Sequence, residues 1–174
     1  IAELAGMGAT VAVVVCNTAH ILYEQWALNA PIPVLNIIEA TVGCAVESGS
    51  ERVAPLVAAS LARHDLYGER VEGAGLSCHR LEAQDQNLIN EVISGIKVSG
   101  RVATQDETAL HEMLGRLRSL GVDTIIGGCT ELSVVDRHCA SWGLKFVDSN
   151  VALARAALGR LGLPEGMIRR GGAE

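Results

Sequence analysis

Two cysteines of this chain stand in similar settings, each directly after an apolar run with the composition of a buried strand. Cys16 follows the valines of residues 13–15, and Cys129 follows Ile-Ile-Gly-Gly at residues 125–128. In parallel α/β sheets, ligands bind beyond the carboxyl ends of the strands. The spacing therefore predicts two thiols at the ligand-binding edge of a sheet, where a thiol can take or give a proton.

Polar residues follow both cysteines. Asn17 and Thr18 come after the first cysteine, and Thr130 and Glu131 come after the second. Such side chains can cap the next helix and hydrogen-bond a bound carboxylate. A helix N-terminus also attracts anions, and the same field lowers a cysteine pKa from about 8.5 into the range of roughly 3.5–7.5. Each turn is therefore a candidate for a reactive sulfur beside a bound carboxylate.

The plainer interpretation of a cysteine in an apolar strand is that of a small core residue. The repetition of the same setting favours a functional role for Cys16 and Cys129. Cys44, Cys78 and Cys139 lack this setting, and we expect them to be ordinary interior residues.

Other chemistry is open to the first turn. Cys16 and His20 stand four residues apart, which suits two metal ligands or the nucleophile and base of an acyl transferase. The sequence has no Cys-x-x-Cys pair of the kind that structural zinc sites use, so no metal is predicted. A Cys16–His20 acyl transferase would not use Cys129, so this alternative does not explain the second cysteine turn.

Composition narrows the class of protein. The 174-residue chain is 49% hydrophobic and 20% charged, which suffices for a packed core, and its net charge of −6 argues against a nucleic-acid partner. No apolar run reaches the roughly 18 residues of a membrane span, so no membrane partner is predicted. Five cysteines, an odd number, and the lack of a visible signal peptide predict reduced thiols and a cytoplasmic location.

Apolar β-branched runs alternate with longer amphipathic stretches, a pattern typical of α/β proteins with parallel sheets flanked by helices. We predict two such lobes. Ser48-Gly49-Ser50 is the most linker-like stretch, so the first lobe is assigned residues 1–48 and 136–174, and the second lobe residues 49–135. The predicted strands are residues 11–15, 34–35, 53–57, 124–126 and 145–147.

The motifs around both cysteines extend to a family pattern. Cys-Asn-Thr-Ala-His at 16–20, Gly-Gly-Cys-Thr-Glu-Leu at 127–132 and Val-Asp-Ser at 147–149 are accompanied by Gln86 and by Lys-Val-Ser-Gly at 97–100. In this order, with the cysteines 113 residues apart, they resemble the aspartate/glutamate racemase superfamily, specifically its pyridoxal-phosphate-independent aspartate racemase branch. The likeness runs over nearly the whole chain. It implies two similar lobes with the active site in the cleft between them.

The resemblance also implies an isomerase that inverts the α-carbon of an amino acid without a cofactor. Schiff-base catalysis would need Lys97 or Lys145, and neither lies in a cofactor-like motif. One thiolate removes the α-proton while the other thiol protonates the opposite face, and Cys16 and Cys129 are the matching pair. Members commonly form homodimers. The residues carried over as ligands of the α-carboxylate are Asn17, Thr18 and Thr130, and those carried over as tuners of the sulfurs are His20 and Glu131.

Two departures from the family pattern bear on activity. Only fifteen residues precede Cys16, whereas the family opens with a strand and a glycine-rich turn, so about two βα units of roughly 30 residues are expected to be missing. Family members also carry threonines after the strand at 53–57 that help to bind the carboxylate. Ala58 and Leu61 occupy those positions here, and only Ser60 remains nearby as a substrate ligand.

Two alternatives to a racemase therefore stay open. One is a related enzyme that decarboxylates or isomerises a small dicarboxylate. The other is a truncated, non-catalytic protein that binds a small acid.

Overall fold

A computed structural model describes residues 1–164 and residue 166, which form two parallel sheets with helices around them. The strands are β1 (Ala12–Val13), β2 (Val34–Leu35), β3 (Arg52–Val57), β4 (Ser77–Cys78), β5 (Thr124–Gly128) and β6 (Lys145–Asp148). The helices are α1 (Ala2–Gly6), α2 (Tyr23–Ala27), α3 (Ile37–Glu47), α4 (Ala59–Arg63), α5 (Leu66–Gly73), α6 (Ala83–Ser99), α7 (Thr104–Ser119), α8 (Asp136–Ala140) and α9 (Ser149–Arg160), with 3₁₀ helices at Thr18–Leu22 and Thr130–Val135.

The larger sheet has the strand order β4-β3-β5-β6, with every neighbouring pair parallel. Both faces of its central strands are covered, as parallel sheets require. Successive side chains of β3 alternate between them, so Ala54 and Leu56 pack towards α6 and α7, whereas Val53 and Val57 pack towards α3, α5 and α9. The predicted α/β class, with parallel sheets flanked by helices, is confirmed.

The division into two lobes stays a prediction, and the pairing of β6 bears on the boundary at residue 135. Residues 136–174 were assigned to the first lobe, yet β6 pairs with β5 from Thr124↔Lys145 to Gly127↔Asp148 and so completes the sheet of residues 49–135. The reason is that β3 covers only one edge of β5, and β6 pairs with the opposite edge. Helix α9 then packs against α3, which brings the chain back to the first segment. Residues 165 and 167–174 of the predicted first lobe lie outside the described residues.

The smaller sheet consists of β1 and β2 and is shorter than predicted. Only Ala12 and Val13 of the predicted strand 11–15 are paired, because Val34 and Leu35 are their sole partners among the described residues. The next residues leave the sheet in a turn, and Val15 is 57% exposed. The chain is therefore at the protein surface when it reaches Cys16.

Within the described ranges, no helix has both the length and the apolar character needed to cross a bilayer.

Candidate active site

The Cys16 turn is held through its backbone by a buried histidine. The Cys16 side chain is exposed, while His20 Nδ1 lies 2.9 Å from the Cys16 carbonyl oxygen and the Ile37 N–H donates to Nε2 at 3.3 Å. Because Nε2 accepts a hydrogen bond, the proton must be on Nδ1, which donates to Cys16. Burial lowers the pKa of His20 and favours this neutral form, against the opposing effect of its backbone hydrogen bonds. His20 therefore orients the Cys16 carbonyl rather than the thiol.

Asn17 is the second anchor of this turn, and it is buried. Its Oδ1 accepts a 2.6 Å hydrogen bond from the Tyr67 hydroxyl. Its Nδ2 donates to the Ser149 hydroxyl at 2.9 Å. Since both ends of the amide are engaged inside the protein, the side chain has little surface left for a substrate, and the predicted role of Asn17 in binding a carboxylate stays a prediction.

The Cys129 turn directly follows β5 and carries a carboxylate beside its sulfur. The half-buried Cys129 thiol donates to Glu131 Oε2 at 2.9 Å, and the Thr130 hydroxyl donates to the same oxygen at 3.0 Å. Lys97 Nζ lies 3.7 Å from the other oxygen of Glu131. The Cys129 thiol is thus hydrogen-bonded to the Glu131 carboxylate, which in turn forms an ion pair with the Lys97 ammonium at the end of β5.

These neighbours determine the protonation of the turn. Burial first, and then the hydrogen bond and negative charge of Glu131, raise the pKa of the Cys129 thiol to about 12. Burial would also raise the pKa of Glu131, but the hydrogen bonds from Cys129 and Thr130 and the charge of Lys97 hold it below its usual value. In the free protein at neutral pH, Cys129 is a protonated thiol beside an ionised carboxylate.

Two consecutive residues at the start of α9 connect the turns. Ser149 accepts from Asn17, next to Cys16, and Asn150 Nδ2 donates to the Thr130 carbonyl at 3.0 Å, next to Cys129. The α9 N-terminus is itself capped, because Asp148 accepts from the Asn150 N–H at 2.8 Å. The Cys16 turn and the Cys129 turn, which are remote in sequence, are therefore both attached to the N-terminus of α9.

Two other predicted substrate ligands, Thr18 and Ser60, are not joined to the cysteine turns by side-chain hydrogen bonds. Thr18 begins the 3₁₀ helix Thr18–Leu22, and Ser60 lies on α4, which packs against that helix. Both are partly exposed, and neither takes part in the hydrogen bonds that hold the two turns. Leu61 is buried in the core, and Ala58 is the residue that precedes α4.

No three or more His, Cys, Asp or Glu residues gather in a metal-binding group within the described part of the chain. A cavity of about 290 Å³ lies next to the site, with Leu61, Tyr67, Cys78 and Arg80 among its lining residues. Neither Cys16 nor Cys129 lines it. Tyr67 forms part of its wall and separates it from the two turns.

Sequence reasoning missed four residues that build this site: Tyr67, Lys97, Ser149 and Asn150. Val-Asp-Ser at 147–149 and Lys-Val-Ser-Gly at 97–100 were recognised as parts of the family pattern, but neither Ser149 nor Lys97 was assigned a role in the site. No local pattern marked Tyr67, because its partner Asn17 is 50 residues away.

Comparison with known proteins adds to this geometry. The family model for Asp/Glu/hydantoin racemases matches residues 1–157. The broad specificity amino-acid racemase RacX of Bacillus subtilis is 27% identical over 143 residues, which are 82% of this chain and 61% of that protein. A glutamate racemase of Shewanella woodyi is 24% identical over 157 residues, which are 88% of this chain and 58% of that protein. The chain thus spans about three fifths of the length of these curated relatives.

Solved structures match the fold. The aspartate racemase of Picrophilus torridus superposes with a TM-score of 0.79 at 22% identity, over 95% of this chain and 69% of that one. A structure described as a putative Asp/Glu racemase from Yersinia pestis gives a TM-score of 0.78 at 26% identity, over 91% of this chain and 69% of that one.

Proposed function

The chain belongs to the Asp/Glu/hydantoin racemase family, and from this premise we propose that it is an amino-acid racemase that uses Cys16 and Cys129 without a cofactor. The observation that carries the proposal is the attachment of both cysteine turns to Ser149 and Asn150 at the start of α9. Inversion of a stereocentre needs an acid and a base on opposite sides of one carbon. Two strand-end thiols whose turns share one anchor suit that requirement.

In the proposed reaction, the Cys16 thiolate removes the α-proton while the Cys129 S–H gives its proton to the opposite face. The C–H bond breaks towards one sulfur, a new C–H bond forms from the other, and the roles of the thiols are exchanged at the end. The hydrogen bond from the Cys129 thiol to Glu131 supports the assignment of Cys129 as the proton donor in this direction. Positioned proton transfer contributes about 10²–10⁴ in rate, so the helix N-termini and polar side chains must also stabilise the developing enediolate.

The substrate is proposed to be an acidic amino acid. The Lys97 ammonium lies at the Cys129 turn and is 59% exposed, so a substrate carboxylate can reach it. Glu131 remains beside the sulfur as the group through which Cys129 regains or loses its proton between turnovers. The similar proteins, a broad specificity amino-acid racemase and a glutamate racemase, agree with this class.

A second candidate function is the binding of a small acid without racemisation. The specific observation that favours it is the exposure of Cys16 beyond a sheet of only two strands. An open thiol is poorly placed to work in a water-excluding cleft, where electrostatic stabilisation is strongest.

A homodimer and a cytoplasmic location are also part of the proposal. The support for a dimer is a set of exposed apolar side chains within residues 1–28 that a second copy can cover, namely Leu4, Met7, Val13, Val15, Leu22 and Leu28. The support for a reducing compartment is that no disulfide joins the five cysteines, all of which lie among the described residues.

The test is to incubate the D- and L-forms of aspartate and glutamate in deuterated water and to follow the α-proton by NMR. Racemisation requires exchange and inversion, and Cys16→Ala and Cys129→Ala should each lower the racemisation rate by about 10²-fold or more. Cys78→Ala, which removes a thiol outside both turns, is the matched control and should keep the activity. Binding of these acids without exchange would support the second candidate instead.

A further inference from the structure

Tyr67 touches both cysteine turns with different parts of one side chain. Its hydroxyl donates to Asn17 Oδ1 at 2.6 Å, next to Cys16. Its ring lies against Gly128, next to Cys129, so closely that a Cβ on Gly128 would stand 2.7 Å from Cε2. Tyr67 is 2% exposed, so a substrate in the cleft does not reach it.

We propose that Tyr67 is a positioning residue that fixes the Cys16 turn through its hydroxyl and the Cys129 turn through its ring, and so sets the relation of the two sulfurs across the substrate. This inference rests on the proposed racemase function. It gives a residue of α5 a defined role beside the two cysteine turns, Lys97 of α6 and the start of α9.

The hydrogen bonds around the Tyr67 hydroxyl are consistent with only one assignment of donors and acceptors. Thr41 Oγ1 lies 3.4 Å from the Tyr67 hydroxyl, but its own proton goes to the Ile37 carbonyl at 2.6 Å. Tyr67 therefore has to be the donor, and Asn17 is its nearer acceptor. Burial raises the pKa of Tyr67 above its ordinary value, so the hydroxyl keeps its proton and remains a donor at neutral pH.

Asn17 is fixed from the other side as well. Its Nδ2 donates to Ser149, so its amide cannot turn over without losing both partners. Deleting the tyrosine hydroxyl leaves Oδ1 buried without its donor, and the turn is then free to move. Displacement of a reacting group by about 1 Å can cost roughly 10²-fold in rate.

Tyr67→Phe separates the two contacts, because it deletes the hydroxyl and keeps the ring against Gly128. We expect kcat for racemisation to fall by about 10- to 100-fold with KM changed by less than about threefold, since the misplaced group is a reacting sulfur. The matched control is Tyr23→Phe, which deletes a hydroxyl that donates to the Val34 carbonyl at 2.7 Å. It should keep both parameters.

The effect should also fall on one sulfur. In a Cys129→Ala background, α-proton exchange depends on Cys16, and adding Tyr67→Phe should slow it by about tenfold or more. In a Cys16→Ala background, exchange depends on Cys129 and should change by less than about threefold. Equal losses in both backgrounds would mean general loosening and would overturn the proposal, as would an unchanged kcat.

A readout without catalysis separates this proposal from the proposed function. The rate at which iodoacetamide alkylates each cysteine, resolved by peptide mass spectrometry, should change in Tyr67→Phe for Cys16 but not for Cys129. If the unsubstituted chain exchanges no α-proton, the racemase proposal fails, and the alkylation rates still decide whether Tyr67 positions the turn. Unchanged alkylation of Cys16 overturns the positioning role.

Discussion

The side-chain amide of Asn17 donates a hydrogen bond of 2.9 Å to the hydroxyl of Ser149, and both residues are buried although 132 positions separate them. Asn17 directly follows Cys16, and Ser149 is the first residue of α9. The bond therefore ties the first cysteine turn to the helix whose next residue, Asn150, holds the second turn. This long-range contact therefore links the two cysteine turns through the start of α9.

Ser149→Ala should test the energetic value of this contact. The substitution leaves a buried N–H of Asn17 without its acceptor, which costs about 1–3 kcal/mol in the free energy of unfolding. Urea unfolding followed by circular dichroism measures the difference. Ser94→Ala is the control, because Ser94 is an exposed helical serine bonded only to the carbonyl of Asn90 among the described residues. Equal effects of the two substitutions would contradict a structural role for the Ser149 bond.

The position of Cys129 could be predicted because the end of its strand is a local signal. The run at 124–128 forms β5 with all five residues buried, so Cys129 had to stand at the end of the sheet. The partner of β6 could not be predicted, since a short strand with two apolar residues, Phe146 and Val147, fits the open edge of either sheet. The choice depends on β5 having an unpaired side, which is a property of the assembled sheet.

The first strand and the polar network were also beyond local reasoning. Five residues at 11–15 have strand composition, yet pairing extends only as far as β2 does. Asn17 was predicted to be a substrate ligand from its place after a strand end and from the family resemblance, and its hydrogen bonds inside the protein could not be predicted. Its two partners, Tyr67 and Ser149, become neighbours only after α5 and α9 have packed on the same face of the larger sheet.

Glu131→Gln should lower the pKa of Cys129. Burial would still keep that pKa above its ordinary value, but the substitution removes the negative charge and the carboxylate acceptor that raise it further. Lys97, no longer paired with Glu131, would then favour the thiolate. A fall of half a unit gives about three times more thiolate below the pKa, so alkylation of Cys129 at mildly alkaline pH should speed up by at least that factor.

Peptide-resolved mass spectrometry of iodoacetamide adducts measures this rate at a series of pH values. Glu91→Gln, on the exposed face of α6, is the control for the loss of one negative charge. An unchanged or slower reaction of Cys129 in Glu131→Gln would show that the carboxylate does not hold the proton on the sulfur.

His20 should give the folded protein a pH dependence with a definite sign. Burial lowers its pKa in the folded state, while an unfolded histidine titrates near pH 6.5. Below that value the unfolded chain binds a proton that the folded chain resists. The contribution to stability is therefore fully present above a pH of about 6.5 and is lost progressively as the pH falls below it.

His20→Asn removes this titration. The loss of unfolding free energy between about pH 7.5 and about pH 5.5 should be smaller in the variant than in the unsubstituted chain. The other titrating groups, including His138, whose pKa is also lowered by burial, remain in both proteins and cancel in the comparison. His64→Asn, which removes an exposed imidazole, controls for the loss of one histidine. If the loss of stability is equal in the two proteins, His20 does not bridge Cys16 and Ile37 as a neutral ring.

Gly128→Ala should destabilise the protein, because the added methyl group overlaps with a core side chain, Val57, and with a site side chain, Tyr67. The added Cβ would stand 2.6 Å from Val57 Cγ1 and 2.7 Å from Tyr67 Cε2, and neither atom belongs to the end of a long flexible side chain. Overpacking of this kind costs about 1–3 kcal/mol. Gly43→Ala is the opposite case, because nothing lies within 4 Å of its added Cβ and the residue is inside α3. That substitution should stabilise the protein by up to about 1 kcal/mol, since alanine favours the helix.

Thermal unfolding of the two variants beside the unsubstituted chain should therefore shift the midpoint in opposite directions. A Gly128→Ala protein as stable as the unsubstituted chain would mean that Tyr67 can move away from the Cys129 turn at no cost, which contradicts its close packing there.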